Sequence, residues 1–561
     1  MPSPCSRITG WLIIRLNKES AVSVLINPSL TSELHVPNHL CDTMALSALS
    51  VWLFTTGVGF VIYVHRRLAR HRNRLPLPPG PRGFPVLGNV LDIPTEGMVS
   101  AFRDMNATYG DIVYLNVLGQ PTVILGNHSA AVDLLEKRSA IYSDRNVSTM
   151  TKLSGLDWLF GSTPYGSWWR QQRKLFHRHF NSKAILPYRP IQEQEVHRFV
   201  LRVMQEPEKF LEHIRFAVTA TILRVTYGLQ VSGRDNEYVV LAEATVAIQN
   251  AITVPGKYLV EVLPFLRFLP PWLPGAKFRR EGKTWMPITR RMRDAPWDFA
   301  MKTIRDGSAV SSVATNLAQE MSTLEGREAN EGEEIPRNVA AAAYAGGADT
   351  TLSATETFFL AMASFPESQK KAQAELDAIV GPHRLPCFSD KASLPYLTAL
   401  LKECLRWKVI GPFGFPHCST EDDEFRGHFI PKGTTVIANL WAYSRDTEYY
   451  PDPEAFKPER FLKDGKIDPD VLDPANFVFG YGRRSCPGRH FADDALFMTA
   501  ATVLHTLSIS APLDAEGNPV KLEGKMTPGL ISYPEPFDVV IKPRTHWAEA
   551  LVRESCSMGN S

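Results

Sequence analysis

Cysteine is scarce in this chain of 561 residues, and its spacing is irregular. The seven cysteines are Cys5, Cys41, Cys387, Cys404, Cys418, Cys486 and Cys556. Such uneven placement argues against a disulfide framework and fits a reducing compartment. No second cysteine lies near Cys486, which excludes a zinc ribbon or a CxxC redox pair at that position.

The chain also lacks a strong charge of either sign. Its 61 lysines and arginines nearly balance 59 acidic residues, for a formal net charge of +2. This argues against a nucleic-acid-binding protein, which usually carries a basic excess. There is no internal repeat and no long low-complexity tract. The 44% hydrophobic content is that of a globular protein with a sizeable core.

Charge is absent altogether from Met44 to Val64, a stretch of the length that a helix needs to cross a bilayer. Five arginines and no acid follow between His65 and Arg74. We therefore predict a transmembrane helix at 44–64, and the positive-inside rule places the region that follows it in the cytosol and the N-terminus across the membrane. A cleaved signal peptide is the alternative, but its basic residues would precede the apolar run.

A short loop from Phe479 to Gly488 contains three glycines and a proline, and Cys486 lies near its end. The following segment, Arg489 to Leu504, is typical of a helix. Amides and the dipole at a helix start favour a thiolate, and a lone thiolate suits one axial position of a haem iron. A structural buried cysteine is the alternative.

The spacing in this loop matches the pattern F-x-x-G-x-R-x-C-x-G, and on it the sequence resembles a cytochrome P450. The fixed positions are Phe479, Gly482, Arg484, Cys486 and Gly488. The resemblance implies iron protoporphyrin IX (haem b) as cofactor. It also implies that Cys486 is the axial iron ligand and that Phe479 and Arg484 belong to the haem-binding site.

A long helix is predicted from Pro336 to Phe365, starting at a proline and stopping before Pro366. Two adjacent glycines at its centre cost about 1 kcal/mol each relative to alanine. Small residues there let a flat cofactor approach the backbone. Asp349 and Thr350 follow, and they resemble the family's acid–alcohol pair, whose role is proton delivery during dioxygen cleavage. Close helix packing is the alternative reading of the glycines.

Trp169 and Arg173 stand four residues apart and share a helix face. They resemble the W-x-x-x-R of the P450 C helix, where both side chains hold a haem propionate. Arg170, Lys174 and Arg178 form a neighbouring basic stripe. It is either a solvated face or a docking patch for an acidic electron-donor protein.

Glu403 and Arg406 are helical neighbours in a helix predicted from Tyr396 to Lys408. Alone, such a pair is usually a surface salt bridge. The resemblance implies instead a buried structural triad with Arg460 of Pro-Glu-Arg-Phe, which holds the haem-side core and is not catalytic.

The resemblance also implies which residues border the substrate pocket. These are Tyr344, Ala345, Phe413 and Leu530. His417, or a cation near it, is expected to meet a propionate, although a plain loop histidine is an alternative. Between about 195 and 320 the chain is mostly helical, as in the family's pocket roof, and the apolar run from Tyr258 to Trp272 is suited to a membrane surface.

The landmarks span about residues 76–545. The resemblance implies a mainly α-helical fold with small β-sheets, as one large domain behind the transmembrane helix. We expect a basic stop and proline-rich hinge at 65–85, a haem domain at 86–545 and a tail at 546–561. Microsomal P450s usually begin at the anchor, so residues 1–43 are interpreted as a non-native extension from a misplaced start. A mitochondrial transit peptide is the alternative.

The implied activity is insertion of one oxygen atom from O2 into a lipophilic terpenoid or polyketide-like molecule. Electrons would come from NADPH through cytochrome P450 reductase, with cytochrome b5 as a further donor. Anchor and fold imply a single-pass protein of the endoplasmic reticulum with a cytosolic catalytic domain. The texture resembles fungal P450s of secondary metabolism, often described as similar to O-methylsterigmatocystin oxidoreductase. The alternatives are a reductase-independent isomerase or dehydratase, and a non-enzymatic haem-binding membrane protein.

Overall fold

The structure is a computed structural model. It describes residues 75–322 and 332–558, except positions 95, 255 and 262, together with the short pieces 14–16, 22–24 and 57–59. The chain divides into two compact units, residues 1–76 and 77–561.

The first unit contains one antiparallel pair, β1 (Ile14–Leu16) with β2 (Val22–Val24). The transmembrane helix predicted at 44–64 lies outside the described residues, apart from 57–59, which are helical. Among the described residues, no helix combines the length and apolar character that a membrane crossing requires.

The second unit is mainly helical with small sheets, which confirms the predicted fold class. Its α-helices are α1 (Met98–Tyr109), α2 (His128–Ala131), α3 (Thr149–Leu153), α4 (Ser167–Phe180), α5 (Arg189–Gln205), α6 (Phe210–Tyr227), α7 (Glu237–Thr253), α8 (Lys277–Arg305), α9 (Val313–Ser322), α10 (Glu334–Ser364), α11 (Pro366–Ile379), α12 (Pro395–Trp407), α13 (Leu440–Tyr443), α14 (Ala475–Val478), α15 (Arg489–Thr506) and α16 (Ala548–Met558).

The strands of this unit form short sheets. They are β3 (Ile112–Val117), β4 (Gln120–Leu125), β5 (His417–Cys418), β6 (Asp423–Phe425), β7 (His428–Ile430), β8 (Thr435–Ala438), β9 (Leu462–Lys463), β10 (Lys466–Ile467), β11 (Leu507–Ser510) and β12 (Val540–Pro543). The largest sheet has the order β3-β4-β8-β5. In the sequence, Ile112–Val117 and Thr122–Leu125 flank Gly119-Gln120-Pro121 and predict a hairpin. β3 and β4 form this hairpin, and β8 pairs with β4 in parallel.

The α10 helix is the centre of the larger unit. It ends at Ser364 because Phe365 precedes Pro366, and a residue before proline disfavours the helical conformation. Most of its side chains are buried. It packs against α4, α6, α8 and α15, and so holds the helix of Trp169 and the helix that follows Cys486 against one scaffold.

Candidate functional site

The loop before α15 holds Cys486 by tight backbone contacts. The amide of Cys486 donates to the carbonyl of Phe479 at 2.6 Å, which closes the loop. Gly482 has a φ of +54°, and a Cβ there would stand 2.3 Å from the carbonyl oxygen of Leu135. Only glycine fits this close approach without a shift of the backbone.

The thiol of Cys486 is half-buried at the end of this loop. Burial raises the pKa of the thiol, although the Gly488 amide and the charges of Arg173 and Arg489 act in the opposite direction. The protein's own groups therefore do not make the net thiolate preference that the helix start predicts. A metal cation bound to the sulfur would supply that stabilisation.

Three arginines from separate segments lie together here, and one of them, Arg484, belongs to the loop itself. The Arg484 guanidinium donates to the carbonyls of Ser143 (2.7 Å), Phe160 (3.2 Å) and Thr163 (2.8 Å). Burial, with the charge of Arg173 nearby, lowers the pKa of Arg484 to about 10. The same burial lowers the pKa of Arg173, whose guanidinium reaches Ser485 Oγ at 3.5 Å.

Arg145 is the third member, and the sequence patterns do not identify it. Its guanidinium donates to the carbonyls of Phe415 (2.7 Å) and Pro416 (2.6 Å). Burial and the neighbouring Arg484 lower its pKa to about 9. Asp144 is the acid whose charge acts on both Arg145 and Arg484. Buried positive charge is costly unless it is paired, so this group is suited to binding further carboxylates.

Trp169 completes the polar wall. Its ring lies 4.4 Å from the Arg484 guanidinium carbon, and its buried indole N–H has no hydrogen-bond partner among the described residues. An orphaned donor beside buried arginines fits a carboxylate-bearing ligand. The residues present therefore fit a haem, with Cys486 for the iron and Trp169, Arg145, Arg173 and Arg484 for the propionates.

His417 lies at the edge of this group, on β5. Its ring is buried and its Nδ1 is 2.6 Å from the carbonyl oxygen of Tyr142. Burial and the nearby Arg145 hold its pKa well below the usual value, so the ring is neutral. The expected propionate contact of His417 stays a prediction, and it would be made by a neutral ring. Phe479 is half-buried, and its backbone carbonyl accepts the hydrogen bond from the Cys486 amide.

The two glycines of α10 have different surroundings. Gly346 is exposed, and no atom would lie within 4 Å of a Cβ placed on it. A Cβ on Gly347 would stand 3.1 Å from the Ile222 side chain on α6. Close helix packing, the alternative reading, thus applies to Gly347, whereas Gly346 faces open space.

Asp349 and Thr350 follow on the same helix with different environments. The Thr350 hydroxyl donates to the Gly346 carbonyl at 2.9 Å, beside that open space. Asp349 is only 4% exposed, and burial raises its pKa to about 6. An acid with such a pKa holds and releases a proton near neutral pH.

The predicted pocket residues fall into two sets. Ala345, Phe413 and Leu530 are half-buried, and the carbonyl of Ile410 accepts from Ser532, which ties the segments of Phe413 and Leu530 together. The placement of Tyr344 at the pocket is corrected by the structure. Its side chain is fully buried, and its hydroxyl donates to the Tyr238 carbonyl at 2.5 Å. A fully buried ring lines no open space.

The Glu403, Arg406 and Arg460 side chains come together in the core. Arg406 donates to both carboxylate oxygens of Glu403, at 2.7 and 2.8 Å, and both residues are fully buried. Arg460 donates to Glu403 at 3.2 Å. Arg406 also donates to the carbonyls of Ser444, Pro453 and Ala455, and thereby fixes the segment before Arg460.

The basic stripe of α4 is less uniform than its sequence suggests. Arg178 pairs with Glu320 at 2.9 Å, so an acid offsets its charge. Arg170 lies 5.5 Å from the Tyr165 ring, whose hydroxyl accepts from Arg483 at 2.6 Å. Lys174 is exposed. The exposed basic stripe is therefore Arg170 and Lys174 of α4 together with Arg483 of the Cys486 loop.

Comparison with known proteins gives one consistent result. A family model described as Cytochrome P450 matches residues 78–540. The chain is 38% identical to cytochrome P450 monooxygenase COX2 of Coprinopsis cinerea, across 92% of this chain and 98% of that protein. It is 39% identical to tryptamine 4-monooxygenase of Psilocybe cyanescens, across 87% of this chain and 96% of that protein.

Proposed function

This chain belongs to the cytochrome P450 family of monooxygenases, and we propose that Cys486 is its axial haem ligand and that its substrate is a lipophilic small molecule. The observation that carries this proposal is the group formed by the buried Arg145 and Trp169 and the half-buried Arg173 and Arg484 at the Cys486 loop. These are donors suited to a dianionic, planar cofactor bonded to the sulfur.

The bound haem supplies the oxygen-activating chemistry, and the chain supplies its position, its protons and its surroundings. Arg145, Arg173 and Arg484 would hold the carboxylates of the cofactor. Cys486 would be its iron ligand, and the hydrogen bond from the Cys486 amide to the Phe479 carbonyl keeps the loop closed. Gly346 has no side chain and faces open space, which leaves room at α10 for a bound small-molecule substrate.

Asp349 and Thr350 of α10 are the proposed proton donors. Below about pH 6 the Asp349 carboxyl is protonated, and its raised pKa allows release of that proton at neutral pH. Thr350 is the adjacent hydroxyl at the open face of α10. The intact pair favours a monooxygenase over an isomerase or dehydratase, which would not need proton delivery to oxygen.

Electrons are proposed to come from NADPH through cytochrome P450 reductase, or from cytochrome b5, docking on the stripe of Arg170, Lys174 and Arg483. These side chains are exposed cations, and they lie near the Cys486 loop through the Arg483–Tyr165 contact. Acidic donor proteins would be attracted to such a face.

The proposed location is the cytosolic side of the endoplasmic reticulum, with the 44–64 segment as anchor. The connection between α7 and α8 supports a membrane-facing surface, because Leu259, Phe265, Phe268 and Trp272 are exposed, with Trp272 77% exposed. Such a cluster of exposed large apolar side chains is uncommon on a fully solvated surface.

The proposed substrate class is terpenoid or polyketide-like, within fungal secondary metabolism. The relatives support an assignment to small-molecule oxidation. The name of one relative, tryptamine 4-monooxygenase, makes a small aromatic amine a second candidate class.

Expression in membranes with a reductase tests the activity. With NADPH and extracts of candidate metabolites, we expect a product heavier by one oxygen, and no product without NADPH. A product formed equally well without NADPH or reductase would favour an isomerase or dehydratase. Cys486→Ala is the control, and it should form no product under either condition.

A further inference from the structure

Two buried acids lie on one face of α10, and only one of them belongs to the family's acid–alcohol pair. Glu356 follows Asp349 by seven residues, which is two helical turns, or about 10 Å along the axis. Glu356 is 6% exposed. An acid buried on a core helix is costly unless something nearby compensates, so its presence calls for an explanation.

A cavity of about 300 Å³ adjoins Glu356. Its lining includes Glu356, Tyr533, Arg215, Glu212 and Arg234. The last two form an exposed ion pair at its outer side. A polar cavity of this size has room for several water molecules, each with partners on the wall.

Tyr533 connects the cavity to Asp349. Its phenol lines the cavity, and the interaction of its hydroxyl with Asp349 stabilises that carboxylate. The Tyr533 hydroxyl and Oδ1 of Asp349 are both buried, yet neither has a hydrogen bond of ordinary geometry to any described residue. The segment that carries Tyr533 is hydrogen-bonded to α10, because the Ser353 hydroxyl donates to the carbonyl of Ser532 at 2.6 Å.

We propose that Glu356 passes protons from this cavity through the Tyr533 hydroxyl to Asp349, as the proton-entry route for the monooxygenase. The proposal rests on the proposed role of Asp349. Glu356 gives its proton through cavity water to the Tyr533 oxygen while the Tyr533 hydroxyl proton moves to Asp349. The carboxylate that Asp349 becomes after giving up its own proton is thereby reprotonated, and a proton from solvent restores Glu356, so that one proton moves from solvent to Asp349 and Glu356 and Tyr533 end as they began.

The charged groups around the path are consistent with proton transfer from Glu356 through Tyr533 to Asp349. Burial, with Asp349 nearby, raises the pKa of Glu356 to about 7, and burial raises that of Asp349 to about 6. Arg215 on α6 lowers both values. Glu212 and Arg234 offset each other at the cavity mouth, and the pKa of Tyr533 is raised, which keeps the phenol neutral. Glu356 is thus half protonated near neutral pH.

Infrared difference titration of the full chain tests the first step without turnover. Glu356→Gln should remove a carboxylic-acid carbonyl band that titrates near pH 7, and Asp349→Asn should shift the midpoint of that band to lower pH. Glu208→Gln, at an exposed site, should leave the band intact. A band unchanged by Glu356→Gln, or a midpoint unmoved by Asp349→Asn, would overturn the relay.

Oxygen consumption by the haem-loaded protein with reductase and NADPH tests the second step. In Glu356→Gln, with a normal carbon monoxide spectrum, we expect about a tenfold slower rate, consistent with loss of part of an acid–base contribution. The solvent deuterium isotope effect should rise and the fall in rate above pH 7 should disappear. Glu356→Asp should recover part of the rate.

Tyr533→Phe should resemble Glu356→Gln, and the double variant should be no slower than either, because the two groups act in series. Wild-type rate, pH profile and isotope effect in Glu356→Gln would refute the relay. Failure of the wild-type protein to consume oxygen would instead refute the proposed function, while the infrared titration still decides whether Glu356 and Asp349 are coupled.

Discussion

Removal of the Arg406 guanidinium should unfold the haem side of the protein. In Arg406→Ala, the buried Glu403 carboxylate loses two hydrogen bonds of 2.7 and 2.8 Å and keeps Arg460 as its cationic partner. The backbone carbonyls of Ser444 and Pro453 lose the Arg406 donor as well, whereas that of Ala455 keeps its bond from Arg460. Breaking a buried pair from one side costs about 3–5 kcal/mol. That is a large share of a typical domain stability of about 5–15 kcal/mol.

The assay is denaturant unfolding together with the carbon monoxide difference spectrum of the purified chain. We expect the variant to show a much lower unfolding midpoint and little or no bound haem. Arg553→Ala is the matched control, since Arg553 pairs with Glu549 on the exposed face of α16. Its loss should cost at most about 0.5 kcal/mol. Full haem occupancy in Arg406→Ala, with a stability loss no larger than that of the control, would refute the structural role of the triad.

Three further predictions concern other parts of the molecule. Gly482→Ala should destabilise the chain by about 1–3 kcal/mol, because its Cβ meets the Leu135 carbonyl at 2.3 Å; Gly161→Ala, with no atom within 4 Å, should not, and equal thermal unfolding temperatures would contradict this. Glu356 has a folded pKa of about 7, above its ordinary value of 4.5, so its contribution to stability is complete below pH 4.5 and is lost as pH rises to 7. Glu356→Gln should therefore lessen the fall in unfolding free energy over that range by about 3 kcal/mol, and an unchanged slope in denaturant titrations would refute the assignment. Lys174→Glu should slow reduction by the reductase at low salt more than Lys283→Glu on α8, and equal stopped-flow rates would remove the proposed docking face.

Local patterns in the sequence predict much of this fold. The prolines at 336 and 366 bound α10 to within two residues at each end, because proline suits a helix start and disfavours helix in the residue before it. The β3–β4 hairpin follows from its β-branched strands around Leu118-Gly119. Spacing also brings Glu403 and Arg406 together, since residues three apart share a helix face.

The remaining site residues depend on contacts between distant segments. Arg145 joins the arginine group only because the segment after α2 packs under the β5 loop, and no periodic pattern indicates this. Tyr344 is predicted to line the pocket, but it lies two residues before Gly346, about 200° around the helix, so its side chain faces the core whereas Gly346 faces open space. Arg178 is predicted to belong to the basic stripe, but its acidic partner Glu320 is 142 residues away in sequence, and no local pattern indicates that pair.

The carbon monoxide difference spectrum of the reduced, haem-loaded protein tests the central claim most directly. Ligation by the Cys486 sulfur predicts the strongly red-shifted Soret band of a thiolate-bound haem, and its loss in Cys486→Ser. A Soret band at the position typical of histidine ligation, or an identical spectrum in wild type and Cys486→Ser, would contradict the assignment of Cys486 as the iron ligand.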